Sequence, residues 1–143
     1  MKKKPNILKT FLALSLVLLL TACGASDDRV ERFAEAVPGN GENIAIPGYE
    51  KLDFAAGKTS QVVNIKNPAE NACKFVLTLT MDEDGETLWT GEAISPGEAF
   101  TRITLTRVLD AGSYPATLHY DCYTTEDNQP LNGAEIQLTI EVK

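Results

Sequence analysis

The side chains that could perform nucleophilic or acid–base chemistry are few and widely spaced. His119 is the single histidine of the chain. A nucleophilic triad needs a hydroxyl within hydrogen-bond reach of its histidine. The serines that follow residue 23 all fall in predicted linker, turn or strand-end positions, away from His119, namely Ser26, Ser60, Ser95 and Ser113. The sequence therefore predicts a protein that is not an enzyme and that carries no catalytic residue and no cofactor.

Two short motifs contain parts of known ligand-binding loops. Gly57–Ser60 ends like a phosphate-binding loop, but that loop needs a glycine where Leu52 stands and a helix afterwards, and a strand pattern follows instead. In the acidic stretch after residue 81, only Asp82 and Asp84 match the spacing of a calcium loop. We expect a turn between two strands in the first case, a solvated hairpin tip in the second, and no metal site in either.

Cys23 has the sequence environment of a lipidation site. Lys2, Lys3, Lys4 and Lys9 precede a ten-residue, almost wholly apolar run, Phe11–Leu20, as in a signal peptide. That run is shorter than the roughly 20 residues of a membrane-spanning helix. A retained helix, or secretion with an ordinary cleavage, remains the alternative.

The stretch Leu20-Thr21-Ala22-Cys23 resembles the lipobox of bacterial lipoprotein precursors. The resemblance implies cleavage before Cys23, a diacylglycerol thioether on its sulfur and, usually, a fatty acyl chain such as palmitate on its amine. The mature protein is then expected at the cell membrane, anchored by lipid on the extracytoplasmic face.

The chain divides into a signal peptide (1–22), a tether (23–43) and one domain (44–143). Its formal net charge is −7, and all four basic residues of the first segment would be lost on cleavage. An acidic mature protein is not expected to bind nucleic acid or to adhere directly to anionic lipid.

The tether has one pattern that is typical of a helix. Asp28 and Glu31 have the spacing of a capping box, and Val30, Phe33, Ala34 and Val37 follow at helical spacing. This predicts either a partly helical spacer or a short amphipathic helix that docks on the domain or on a partner.

From Ile44 onward, apolar residues alternate with polar ones, and turn residues recur every 8–12 positions, which indicates an antiparallel sandwich or barrel. We predict seven strands: A (44–54), B (61–66), C (73–81), C′ (87–90), E (100–107), F (114–124) and G (134–142).

The segment Leu109–Tyr114 places Leu, Gly and Tyr as in the tyrosine corner of immunoglobulin-like and fibronectin type III domains, which it resembles. The resemblance implies an all-β, immunoglobulin-like antiparallel sandwich with the sheets A-B-E and C′-C-F-G. Strand B has no cysteine, so the usual inter-sheet disulfide of antibody domains is not expected. As a whole, the chain also resembles small lipoproteins of Gram-positive bacteria, and this likeness implies no activity.

In such a fold, strands C and F are antiparallel neighbours. Placing Cys73 opposite Cys122 puts the large apolar side chains of both strands on one face, and on the other it pairs Lys74 with Asp121 and Val76 with His119. Facing residues lie within disulfide range, and two cysteines in an exported protein favour pairing. We therefore predict a Cys73–Cys122 disulfide.

Two surfaces are candidates for binding. One is the outer face of C′-C-F-G, with Val76, Thr78, Thr117, His119 and Tyr123, and with Trp89 if it points outward. The other is the loop end that carries Glu70, Asn71, Glu126, Asp127 and Asn128. We predict a non-catalytic, lipid-anchored module that binds a protein or a component of the cell envelope; the alternative is an accessory or structural subunit of a membrane complex, docked through the tether helix.

Overall fold

The computed structural model describes residues 29–32 and 44–143, and every regular element in these residues is a β-strand. The signal segment and Cys23 lie outside the described residues. There are eight strands in the described part: β1 (Arg29–Arg32), β2 (Lys51–Phe54), β3 (Ser60–Lys66), β4 (Cys73–Met81), β5 (Thr87–Thr90), β6 (Glu98–Thr104), β7 (Gly112–Thr124) and β8 (Ala134–Val142).

The strands form two sheets, with the orders β1-β6-β3 and β2-β8-β7-β4-β5. Neighbouring strands are antiparallel except for β2 and β8, which are parallel, with Leu52 opposite Ile140 and Phe54 opposite Val142. The predicted all-β class and most of the strand positions are confirmed. The predicted membership of strand A is wrong, because β2 belongs to the larger sheet and not to the sheet of β3 and β6.

The difference between the predicted and the observed sheet of strand A has a simple physical reason. Leu52 and Phe54 are both buried in the core that the two sheets share, and they could reach that core from an edge of either sheet. Alternation along the strand thus fixes which residues point inward but not which strand is the neighbour. The backbone around β2 bonds to β8 at both ends: the Thr139 amide donates to the Glu50 carbonyl (3.0 Å), and the Lys143 amide donates to the Phe54 carbonyl (3.0 Å).

The described part of the tether is extended. Arg29–Arg32 pairs antiparallel with β6, and Arg32 lies opposite Glu98. The expected helix is therefore wrong at Val30, while Phe33, Ala34 and Val37 lie outside the described residues. A helix of about ten residues is marginal in water, whereas a sheet edge offers unpaired backbone groups to an extended segment.

The register between β4 and β7 differs by two residues from the predicted one. Cys73 lies opposite Thr124, and Cys122 lies opposite Phe75. The faces are nevertheless as predicted, because the side-chain period of a strand is two and a shift of two residues changes no face. The hydrophobic pattern thus determined the faces, and only the assumption that the two cysteines face each other determined the offset.

Aromatic contacts occur within and between the sheets. The Trp89 ring packs edge-on against Phe100 of the other sheet, with centroids 4.8 Å apart, and Phe75 packs edge-on against Tyr120 at 5.2 Å. Trp89 is 2% exposed, so it belongs to the core and not to the outer face. A Cβ added at Gly91 would lie 2.6 Å from the Trp89 ring, and this close approach explains the glycine there.

The tyrosine-corner contact is present. The Tyr114 hydroxyl donates a hydrogen bond to the Asp110 carbonyl at 2.9 Å. This contact ties the start of β7 to the connection from β6, as the Leu-x-x-Gly-x-Tyr pattern predicts.

Candidate binding face and loop end

The outer face is the side of β4, β7 and β8 that points away from the core. Every second residue is buried along β4, from Ala116 to Cys122 of β7 and from Leu138 to Val142 of β8, and the residues between them are half-buried or exposed. Three carboxylates and one lysine lie on this face, so its charge is mainly negative. Its members are Lys74, Val76, Thr78, Thr80, Ser113, Pro115, Thr117, His119, Asp121, Tyr123, Glu135, Gln137, Thr139 and Glu141.

A hydrogen-bonded array crosses the three strands at the centre of this face. The His119 ring contacts the Thr80 hydroxyl through Nε2 at 2.9 Å and the Glu135 carboxylate through Nδ1 at 3.1 Å. The register brings these residues together, since His119 lies opposite Glu135 on β8 and opposite Thr78 on β4, and Thr80 is the next residue on the same face of β4. Sequence reasoning missed this array because it searched only the serines for a hydroxyl partner of His119.

The array places a hydroxyl, an imidazole and a carboxylate in the order of an acyl-transfer triad, but two features oppose that chemistry. Thr80 lies on β4, which has a hydrogen-bonded neighbour on each side, so the backbone near its hydroxyl is engaged in the sheet and does not form an oxyanion hole. The hydroxyl also lies outside the recess next to His119, whose lining residues do not include Thr80. The two contacts orient the imidazole and join β4, β7 and β8 on this face.

A shallow recess of about 420 Å³ lies beside the array and is lined by His119–Asp121 and Gly133–Glu135. At Gly133, one of its lining residues, the chain just before β8 approaches β7 very closely. A Cβ there would lie 2.4 Å from the Tyr120 carbonyl oxygen. The recess presents one imidazole and two carboxylates, a lining suited to a basic side chain of a partner.

The residues predicted at the loop end do not all reach the surface. Glu70, Glu126, Asp127 and Asn128 are exposed, whereas Asn71 is buried. The Asn71 amide group donates to the Ala45 carbonyl (2.9 Å) and to Asn67 Oδ1 (2.9 Å), and its oxygen accepts from the Ala45 amide (2.7 Å). Burial and internal hydrogen bonds use its polar atoms, so Asn71 is not part of the exposed surface of the loop end.

Asn67 completes the same network. Its side-chain nitrogen donates to the Cys73 carbonyl at 2.9 Å and to the Ile94 carbonyl at 3.1 Å. The two amides together join the segment before β2, the loop between β3 and β4, and the bridge at Ile94. The sequence signal is Asn67-Pro68, which directly follows the predicted strand B (61–66).

The other half of the loop end is an ordered turn. The Thr124 hydroxyl donates to the Asp127 carboxylate and accepts from the Gln129 amide, and Asn128 has a φ of 56°, in the left-handed region. The hydrogen bond from Thr124 lowers the pKa of Asp127. Asp127 therefore shapes the turn, which leaves Glu70, Glu126 and Asn128 as the outward polar groups of this end.

The two motifs that resembled ligand loops have structural roles. Gly57, with a φ of 68°, forms the turn before β3, and its amide donates to the Leu109 carbonyl. In the acidic hairpin, Asp82 accepts from the Thr117 hydroxyl at 2.7 Å, and Glu86 pairs with Arg107 at 2.7 Å. Among the described residues, no three His, Cys, Asp or Glu side chains are grouped to hold a metal ion.

No family model, no curated protein and no solved structure matches this chain. In the part of the chain that the structure describes, no helix has the length and apolar character needed to cross a bilayer.

Proposed function

We propose that this chain is a lipid-anchored binding module of the extracytoplasmic surface, that its domain is immunoglobulin-like, and that it uses the outer face to bind a protein. The tyrosine-corner contact of Tyr114 supports the immunoglobulin-like assignment, and the lipobox at Cys23 supports the anchor. The observation that carries the binding proposal is that the outer face combines half-buried apolar side chains with a mainly negative charge.

The chemistry of that face favours a protein partner with a basic surface. Tyr123 and Val76 are half-buried there and supply apolar contact area of the kind that anchors protein interfaces. Asp121 lies opposite Val76, and Glu135 lies opposite His119 on the same face, so a partner of opposite charge is attracted and oriented. A glycan is the weaker candidate, because sugar binding on a flat face commonly uses several aromatic rings and this face offers Tyr123.

The anchor is tested by growing cells with a clickable fatty acid and isolating the protein. We expect label on the wild-type chain and none on Cys23→Ser, which should accumulate as the uncleaved precursor. Equal labelling of the two chains, or no labelling of either, would exclude the anchor.

The face is tested by photo-crosslinking on intact cells. A photoreactive residue replaces Tyr123, and the matched control replaces Val62, which is 66% exposed on β3 of the other sheet. We expect an adduct of one defined mass from position 123, absent from position 62 and abolished when Asp121 and Glu135 are both changed to Lys. Adducts of the same mass from both positions, or indifference to the charge reversal, would refute the proposal; an adduct removed by glycan-degrading enzymes would assign the face to a glycan.

The alternative, a membrane-complex subunit docked through the tether, is separated by deleting residues 27–37. The adduct at position 123 should survive this deletion if the outer face binds the partner. It should disappear if the tether makes the contact. The pairing of Arg29–Arg32 with β6 favours the first outcome, since an extended segment that completes a sheet is not a free docking helix.

A further inference from the structure

The two cysteines of the domain lie together inside the core. Cys73 and Cys122 are both on the inward face of the larger sheet, 2% and 1% exposed. They occupy neighbouring pairs of the same face, since Cys122 is opposite Phe75 and Cys73 is two residues before Phe75. They are therefore diagonal neighbours, and not the directly opposite pair that the sequence predicted.

A disulfide between these residues has to span a diagonal of the sheet. Cα atoms on such a diagonal are about 7–8 Å apart, slightly beyond the usual range for a disulfide. The structure holds both residues as thiols, and the two side chains interact, since each one shifts the pKa of the other. A bond between them therefore requires the two strands to move slightly closer at this point.

We propose that Cys73 and Cys122 form a diagonal disulfide across β4 and β7 in the exported protein. The proposal uses the extracytoplasmic location proposed above, because that compartment is oxidising. Each thiol loses a proton, and the pair gives two electrons to a thiol oxidoreductase, whose own disulfide is reduced to a dithiol. A mixed disulfide with that enzyme is the intermediate, and the second cysteine displaces the enzyme.

Burial determines when this bond forms. An oxidoreductase cannot reach sulfurs that are at most 2% exposed, and burial raises the pKa of the Cys122 thiol to about 11, so little thiolate is present at neutral pH. The bond therefore forms while the pairing of β4 and β7 is incomplete, during folding after export. Once formed, it is equally shielded from reductants.

The first measurement is made on full-length protein isolated from membranes in the presence of an alkylating agent. We expect two more alkylated cysteines after unfolding in reductant than after unfolding without it, and a linked peptide pair that contains Cys73 and Cys122. Two alkylated thiols without reductant, in protein that also carries the lipid label, would overturn the disulfide while the anchor proposal stands.

The second measurement is independent of location. Reduced, urea-unfolded protein is diluted into a glutathione redox buffer, and we expect the bond to form during refolding but far more slowly when already folded, reduced protein is placed in the same buffer. Failure to form the bond in the refolding arm would overturn the inference, and equal rates in both arms would overturn the timing.

Alanine variants distinguish a disulfide from two cysteines that only pack in the core. Breaking the bond from either side removes the same constraint, so Cys73→Ala, Cys122→Ala and the double variant should lose nearly the same amount in melting temperature, about 10 °C or more. When all chains have been unfolded and refolded in reductant, so that the wild type is reduced, the loss for each variant should shrink to that of a deleted thiol. Additive losses without reductant would contradict the disulfide.

Discussion

Replacement of Asn67 by alanine is the sharpest test of how the loop end is held together. The side chain is 1% exposed and makes three hydrogen bonds: two donated to the carbonyls of Cys73 and Ile94 and one accepted from Asn71. Each bond is worth about 1 kcal/mol, and the buried groups that lose a partner add to the cost. We expect a loss of about 3–4 kcal/mol in the free energy of unfolding.

That loss is a large fraction of the roughly 5–15 kcal/mol that stabilises a domain of this size. Urea unfolding, followed by fluorescence of the buried Trp89, should show the midpoint falling by about 2 M with little change in slope. Asn64→Ala is the matched control, because Asn64 is an exposed residue of β3, the strand that ends just before Asn67. Its free energy of unfolding should stay within about 0.5 kcal/mol of the wild-type value.

The isosteric change Asn67→Asp separates lost hydrogen bonds from lost volume. A carboxylate would face two carbonyl oxygens, so its pKa in the folded state is raised and the folded protein favours the protonated acid. Stability is then retained at low pH and lost as the pH rises through that raised pKa. Two results would refute the reasoning. One is a loss for Asn67→Ala equal to that of Asn64→Ala. The other is an Asp variant whose free energy of unfolding changes by less than about 1 kcal/mol between pH 4 and pH 7.

Three further predictions concern the fold. Tyr114→Phe removes the bond to the Asp110 carbonyl and should cost about 1 kcal/mol in chemical unfolding, with the structure retained. Gly133→Ala places a methyl group 2.4 Å from the Tyr120 carbonyl oxygen, whereas nothing lies within 4 Å of a Cβ at Gly48; the first should lower the melting temperature by about 10 °C, and Gly48→Ala should leave it nearly unchanged. Burial raises the pKa of the Tyr120 phenol, so the unfolded chain ionises first, and stability should fall by about 1.4 kcal/mol per pH unit above pH 10. Tyr120→Phe should flatten that decline, and an unchanged slope would contradict it.

The strands and their faces could be predicted because both follow from local chemistry. Alternation in Cys73–Met81 and Tyr114–Thr124 identified the buried side chains correctly, since only one face of each strand can meet an apolar core. The tyrosine corner was equally readable, because Leu109, Gly112 and Tyr114 act over six consecutive residues. Gly57 and Gly85 marked turns that need a positive φ, which both adopt.

The candidate site could be predicted only in part. His119 and Tyr123 were placed on the outer face correctly, because the alternation of side chains along β7 decides which face each residue occupies. Trp89 and Asn71 were placed at the surface or left open, and both are buried, because burial at the end of a short strand or within a loop depends on what packs over it. The hydrogen bond between Thr80 and His119 could not be predicted, because it depends on the exact register of β4 against β7, which the alternation of side chains leaves undetermined.

The sequence by itself determined the class of fold, the approximate positions of the strands from Gln61 onward and the inward and outward residues of the long strands β4 and β7, because these depend on a period of two and on turn residues nearby in the chain. The tertiary structure decided the choices between equivalent neighbours: β2 beside β8, Arg29–Arg32 as a strand beside β6, and the two-residue offset that makes Cys73 and Cys122 a diagonal pair. Each of these pairings depends on contacts between residues far apart in the sequence. The alternative pairings bury the same side chains and differ only in how the backbone edges and the packed side chains fit together.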